Sequence, residues 1–197
     1  MAKKFYAVKK GITPGIYETW EACRLQIHGF SGAIYKGFDT EEEAQLFLNI
    51  DDKKAGSEDG ETVAYVDGSY DINTKSFSYG IVLFHDGQEL HFSKKCDDRG
   101  LAEMRNVAGE IKGSEAAIRY CLERNISEIT IYHDYEGIAK WCTGEWRARK
   151  PGTMAYADFY REASAKICIK FRKVKGHSGN KYNELADRLA KDALGLK

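Results

Sequence analysis

The sequence predicts an α/β protein in two parts: a small ββαβα unit, then a mixed five-stranded sheet flanked by helices. Three observations carry that prediction. The polar, glycine-bearing run NIDDKKAGSEDGE separates two stretches rich in large apolar residues. Beyond it, three strand-like runs follow one another directly, after which helical and strand-like runs alternate, the pattern of a mixed sheet covered by helices. Between those halves, apolar residues at 104, 107, 108, 111, 118 and 122 recur with the period of a helix that buries one face.

In the first unit, residues 1–48, FYAVKKG and GIYET read as strands joined by a Gly/Pro turn. WEACRLQIHG reads as a helix, GAIYKGF as a third strand and TEEEAQLFL as a second helix. Thr40 is the expected N-cap of that last helix, with acids in its first turn. Residues 49–60 are the linker, and residues 61–197 form the larger domain.

There ETVAYVDGS, FSYGIVLFH and QELHFSKKC read as strands, with Asp86-Gly87 as a hairpin turn between the last two. AEMRNVAGEIKGSEAAIRYCLERN reads as one long helix, EITIYHD as a strand and YEGIAKWC as a short helix. After a loop around ARKPG come a helix over TMAYADFYREASAK, the strand KICIKFRKV and a closing helix over NKYNELADRLAKDAL.

Composition narrows the function classes. With 197 residues, 43% of them hydrophobic and 12% aromatic, the chain has material for a real core. Its formal net charge of +0 argues neither for nor against a polyanionic partner, so local clustering decides. The five cysteines are odd in number and form no C-x-x-C pair, which speaks for free thiols rather than a disulfide framework or a zinc site. The start MAKKFYAVKK lacks an apolar core of signal-peptide length, and no run is long and apolar enough to span a bilayer. The expectation is a cytoplasmic monomer without membrane contact.

Asp67, in YVDGSYD, and Asp134, in IYHD, each close an apolar strand pattern. In an open α/β sheet the carboxyl ends of neighbouring parallel strands face the usual binding crevice, so both acids reach one place if those strands are neighbours. Glu110 lies at the edge of its helix's apolar face, and Asp187 lies one turn after Asn183 on the last helix. Taken singly, each acid has an ordinary role. Asp67 suits a turn, Asp134 a helix cap, Glu110 a solvated helix surface, and Asp187 an i,i+4 pair with Lys191. Convergence of all four demands a cation, because like charges at short range do not all stay ionised. An oxygen-only donor set selects hard ions such as magnesium or manganese, the setting of two-metal phosphoryl transfer.

VDGS, RNVAGE, IYHD and KGHSGNKYNELAD, in that order and on those elements, resemble the motifs of type 1 ribonuclease H from residue 61 nearly to the end of the chain. FYAVKKGITPGIYETWEACRLQIHGFSGAIYKGF resembles the hybrid-binding domain found ahead of many such enzymes. The resemblance implies an endonuclease that hydrolyses the RNA strand of RNA/DNA hybrids, leaving 5′-phosphate and 3′-hydroxyl ends. It implies Asp67, Glu110, Asp134 and Asp187 as ligands of two Mg2+ ions per site, with Mn2+ as a substitute. His177, set between Gly176 and Gly179, matches the family's histidine on a mobile loop and is implied as a catalytic group.

Gly68, Ser69 and Glu110 are implied to read the 2′-hydroxyls of the RNA strand, which DNA lacks. Asn106 and Trp146 are implied contacts to the DNA strand, and Tyr6, Trp20, Tyr35 and Lys36 are implied contacts of the first domain to the duplex. Arg105 and Val107 depart from the Thr and Asn common at their positions, Glu136 stands where some relatives carry glutamine, and Gly37 replaces a second lysine. Two other readings remain at this point. One is a polynucleotidyl transferase of the integrase or transposase kind, and the other is a hybrid-binding protein that does not cut.

Overall fold

The structure, a computed structural model, describes residues 4–49, 61–174 and 180–196, which form parts of two compact units, 1–55 and 56–197. The linker assigned to 49–60 lies, but for its first residue, outside the described residues.

The first unit runs β1 (Phe5–Lys10), β2 (Gly15–Tyr17), α1 (Trp20–Ile27), β3 (Ile34–Phe38) and α2 (Glu41–Asn49). Its sheet has the order β2-β1-β3, antiparallel throughout. Thr19 caps α1 by accepting from the Ala22 amide at 3.2 Å. Thr40 caps α2 by accepting from Glu43 N at 3.2 Å, while the Glu43 carboxylate accepts from Asp39 N at 3.3 Å. The core is small: Ala7, Phe38 and Ala44, with Phe5, Ile16, Phe47 and Leu48 packed against them.

The second unit runs β4 (Val63–Asp71), β5 (Ser76–His85), β6 (Gln88–Cys96), α3 (Arg99–Ala102), α4 (Asn106–Glu123), β7 (Glu128–His133), α5 (Gly137–Thr143), α6 (Pro151–Ser164), β8 (Cys168–Lys173) and α7 (Lys181–Leu194). The five strands lie in the order β6-β5-β4-β7-β8, antiparallel from β6 to β4 and parallel from β4 to β8. Asp86 and Gly87 both have positive φ, 48° and 72°, as a two-residue type I′ hairpin requires. The core joins Val66, Ile81, Leu83, Ile129 and Ile131 of the sheet to Ala117, Ile118 and Cys121 of α4. On α7, Ala186 and Ala190 are fully buried.

Three details differ from the sequence reading. The long helix is broken, since residues 99–102 form a separate turn of helix and Arg105, at φ 55°, interrupts the chain before α4. Helix α6 begins two residues earlier, because Pro151 occupies its first turn, where its missing N–H costs nothing. Asp67 does not end its strand, because β4 continues to Asp71 on β5. What ends near Asp67 is the parallel ladder, whose last pair is Tyr65 opposite Tyr132. Among the described residues, no helix is long and apolar enough to cross a membrane.

Candidate active site

That ladder sets the first two acids. With Tyr65 opposite Tyr132, Asp67 and Asp134 each lie two residues further along the chain, Asp67 still within β4 and Asp134 just past the end of β7. They face the same opening, a cavity of about 340 Å³ lined by Asp67, Gly68, Ser69, Tyr70, Arg105, Asn106, Asp134, Asp187 and Lys191.

Two helices deliver the other acids because glycines let backbone lie on backbone. A β-carbon on Gly68 would stand 2.1 Å from the Asn106 carbonyl oxygen, and one on Gly109 would stand 2.0 Å from that of Ser78. Helix α4 therefore rests directly on β4 and β5, and Glu110, next to Gly109, is buried beside Asp67 rather than solvated. At Gly80 a β-carbon would stand 2.0 Å from the Ala186 carbonyl oxygen, so α7 rests on β5 in the same manner. Ser78 adds a buried hydrogen bond to the Ala190 carbonyl at 2.6 Å. Asp187, the residue after Ala186, thereby reaches the cavity.

Three of the four acids are tied in place. Asp67 accepts from its neighbour's amide, Gly68 N, at 2.7 Å and from the Asn183 side-chain amide at 3.3 Å. Glu110 accepts from Tyr135 N at 3.3 Å, which links α4 to the segment just past Asp134. Asp187 accepts from Lys191 at 2.7 Å, so the i,i+4 pair expected on a wet surface exists, but inside the cavity. Burial, then the charge of Asp134, push the Asp67 carboxyl up to about 7, against the hydrogen bond from Gly68. Burial, and then Asp134 and Asp67, likewise raise Glu110 well above the ordinary glutamate range. The site thus holds more negative charge than its surroundings tolerate.

The donor set fits a hard divalent cation, since every acid offers oxygen and the two raised carboxyls regain their charge beside a positive ion. Among the described residues no three groups already stand in a ligating arrangement. Asp187 is held by Lys191 and Asp67 by Asn183, so ligation calls for side-chain rotation.

Of the other residues singled out, Gly68, Ser69 and Asn106 line the cavity. Trp146 does not. It packs with Tyr135 and Trp141 under the Lys140 ammonium, 38% exposed. Glu136 is bound by Lys140 and Lys173, which hold its carboxyl down at about 2. His177 lies outside the described residues.

In the first unit Tyr6, Trp20 and Tyr35 form one run of rings, with centroids 5.6 and 5.8 Å apart. Trp20 is 38% and Tyr35 46% exposed. None belongs to the core cluster, and Lys36 lies over the Phe38 ring. The sequence reading passed over Asn183, whose signal was its place one helical turn before Asp187, and the cations Lys191 and Arg105 as cavity residues.

Residues 4–48 match the family described as Ribonuclease H1 N-terminal domain, and residues 59–195 match RNase H. Ribonuclease H1 of Rattus norvegicus is 25% identical over 252 residues, covering 95% of this chain and 88% of the rat protein. The crystal structure of RNase H1 from the halophilic archaeon Halobacterium salinarum NRC-1 is similar at 24% identity and a TM-score of 0.58, covering 69% of this chain and 98% of that one. LC11-RNase H1, crystallised in complex with RNA/DNA hybrid, is similar at 15% identity and a TM-score of 0.54, covering 68% of this chain and 99% of that one. At those identities the two structures bear on the fold.

Proposed function

We propose that this chain, which belongs to the ribonuclease H family, is an endonuclease that hydrolyses the RNA strand of RNA/DNA hybrids and leaves 5′-phosphate and 3′-hydroxyl ends. The observation that carries the proposal is the convergence of Asp67, Asp134 and Asp187 on one cavity, with Glu110 buried against it. A hybrid seen bound to a structural neighbour supports the substrate class.

Asp67, Glu110, Asp134 and Asp187 are the residues that would hold two divalent ions, Mg2+ or in its place Mn2+. Such ions, when bound, supply charge neutralisation and Lewis acidity at the scissile phosphate. The chain's own groups do the rest. Asn183 and the Gly68 amide aim the Asp67 carboxylate, and the Tyr135 amide aims Glu110. In the reaction a water oxygen bonds to phosphorus, the P–O3′ bond breaks, and the departing 3′ oxygen takes a proton. His177 is assigned to proton transfer or product departure. Gly68, Ser69 and Glu110 are assigned to the 2′-hydroxyls, and Asn106 and Trp146 to the DNA strand.

Residues 1–48 serve as the hybrid-binding domain, 49–60 as a linker and 61–197 as the catalytic domain. In the first of these, Tyr6, Trp20 and Tyr35 pack on sugars or bases while Lys36 meets phosphate. A cytoplasmic monomer is the proposed state, and five free cysteines suit a reducing compartment.

The test is direct. Labelled RNA/DNA hybrid, double-stranded RNA and double-stranded DNA are incubated with magnesium and either the wild-type chain or Asp134→Asn. Cleavage of the hybrid's RNA strand alone, lost in the variant, is the expected result. Tight hybrid binding with no cleavage by the wild type, or transfer of DNA strands, defeats the proposal.

A further inference from the structure

Gly68 and Asn183 donate to Asp67, Tyr135 to Glu110 and Lys191 to Asp187. Asp134 differs: among the described residues, no amide or ammonium group donates to its carboxylate. Nor does it lie in a regular element, since β7 ends at His133 and α5 begins at Gly137. What places Asp134 must therefore act through the bend on either side of it.

His133 spans that bend. Ile129, Ile131 and His133 alternate along β7 and are all buried, so the histidine stands where the strand pattern calls for an apolar side chain. Its ring meets Phe171 edge to face, with centroids 5.8 Å apart, and its Nε2 is buried with no hydrogen-bond partner among the described residues. A half-satisfied imidazole in such a place costs stability that leucine would not. The other ring nitrogen accounts for it. Nδ1 lies 3.0 Å from the Tyr135 carbonyl oxygen, on the far side of Asp134. A carbonyl only accepts, so Nδ1 carries the proton. The same carbonyl accepts from Ile138 N at 3.1 Å, in the first turn of α5, and the Tyr135 amide donates to Glu110. On the near side, the His133 carbonyl accepts from Val174 N at 2.8 Å, just past β8. The ring thus closes a bridge over Asp134, between backbone held by β8 and backbone held by α5 and Glu110.

We propose that His133 is a positioning residue whose Nδ1–H, by bridging to the Tyr135 carbonyl, sets the bend that aims Asp134 and steadies the amide that aims Glu110; this rests on the reading of the cavity as a hybrid nuclease site. The ring never touches substrate. It acts on two acids at once, because residues 133 and 135 flank one of them and the Tyr135 amide meets the other. Carboxylates crowded together repel each other, so their spacing has to be imposed by the backbone that carries them.

The test compares the full chain with His133→Leu and His133→Asn. Leucine suits the apolar surroundings but has no donor, whereas the asparagine side-chain amide nitrogen has the reach of Nδ1 and can donate to the same carbonyl. In His133→Leu, kcat on labelled hybrid in magnesium should fall by about 10- to 100-fold, with KM within about two-fold of wild type and resistance to urea undiminished. His133→Asn should recover most of the lost kcat. Magnesium affinity by calorimetry without hybrid should fall in the order wild type, Asn, Leu. Unchanged kcat in His133→Leu overturns the proposal, and so does an equal loss of kcat in both variants. One measurement needs no variant: 15N NMR of the unmodified chain in mildly alkaline buffer should show the His133 ring proton on Nδ1. A proton on Nε2 overturns the proposal even if both variants fail to fold. Any of these contrary results, from a wild type that still cuts hybrid, leaves the nuclease reading standing. A wild type that cuts no hybrid removes that reading, and the role of His133 with it.

Discussion

In the larger unit the proposed site residues are acids positioned by backbone contacts, Glu110 buried and the three aspartates half-buried, whereas in the smaller unit they are rings set against one another, Trp20 and Tyr35 exposed and Tyr6 half-buried. Glu110 is brought beside Asp67, and Asp187 into the cavity, because α4 and α7 lie directly on the strands at Gly68, Gly80 and Gly109. Tyr6, Trp20 and Tyr35 pack in a row outside the core cluster, Trp20 and Tyr35 exposed. Bond breaking at phosphorus requires closely placed oxygens, and the proposed site rests on backbone contacts that fix strand and helix and leave side-chain rotation to complete the arrangement. Grasping a duplex by its surface tolerates small shifts and can rest on side chains alone.

The comparison is most easily broken at Gly68. Gly68→Ala places a methyl group 2.1 Å from the Asn106 carbonyl oxygen and 2.6 Å from Glu110 N, and no rotamer relieves a clash with backbone. Helix α4 must lift, carrying Glu110 with it. The expected cost is about 1–3 kcal/mol of stability in urea unfolding. Cleavage should fall by about 100-fold or more, the scale for a misplacement near 1 Å. Near-normal cleavage would mean that the acids are not held by that contact.

The same contacts mark where sequence reading reached its limit. Order and type of element followed from periodicity and turn residues, and even the Asp86-Gly87 turn and the Thr40 cap are local chemistry. The acids stood out in the sequence because each closes an apolar strand pattern or lies on a helix face with a definable phase. The helix break at Arg105 was invisible, since arginine carries no signal for positive φ. The extension of β4 past Asp67 was hidden for a different reason. A strand can leave its parallel neighbour and stay paired on its other side, and the sequence of one strand does not record its partners. The sequence likewise carries no signal for the roles of Gly80 and Gly109, because each is set by a partner backbone distant along the chain.

The protonation of the acids gives the next largest effect, and one that only the buried site should show. Asp67 has a folded-state value of about 7 against the ordinary 3.8, so between those values the folded chain keeps a proton that the unfolded chain has lost. In the metal-free protein this group therefore favours folding most at low pH, and its contribution falls as pH rises from about 4 towards 7. A divalent ion competes with that proton. Magnesium affinity by titration calorimetry should drop by up to about ten-fold per pH unit below 7 for each proton displaced, with proton release visible in buffers of different ionisation heat. Flat affinity from pH 5.5 to 7.5, without proton release, would show that Asp67 is not a ligand.

The smallest effect belongs to the smaller unit. Trp20 lies between Tyr6 and Tyr35 and outside the cluster of Ala7, Phe38 and Ala44, so Trp20→Ala should leave the fold of that unit intact by circular dichroism. Loss of one aromatic platform is worth about 1–3 kcal/mol in binding. It should appear as a rise of about ten-fold in KM for hybrid, with a much smaller change in kcat. An interaction made equally with substrate and transition state raises KM alone. Gly68→Ala acts on the reacting centre and should lower kcat at saturating hybrid. If Trp20→Ala instead depressed kcat as deeply as Gly68→Ala, the rings and the acids would belong to one catalytic assembly, and the proposed division between a surface that holds and a cavity that cuts would be wrong.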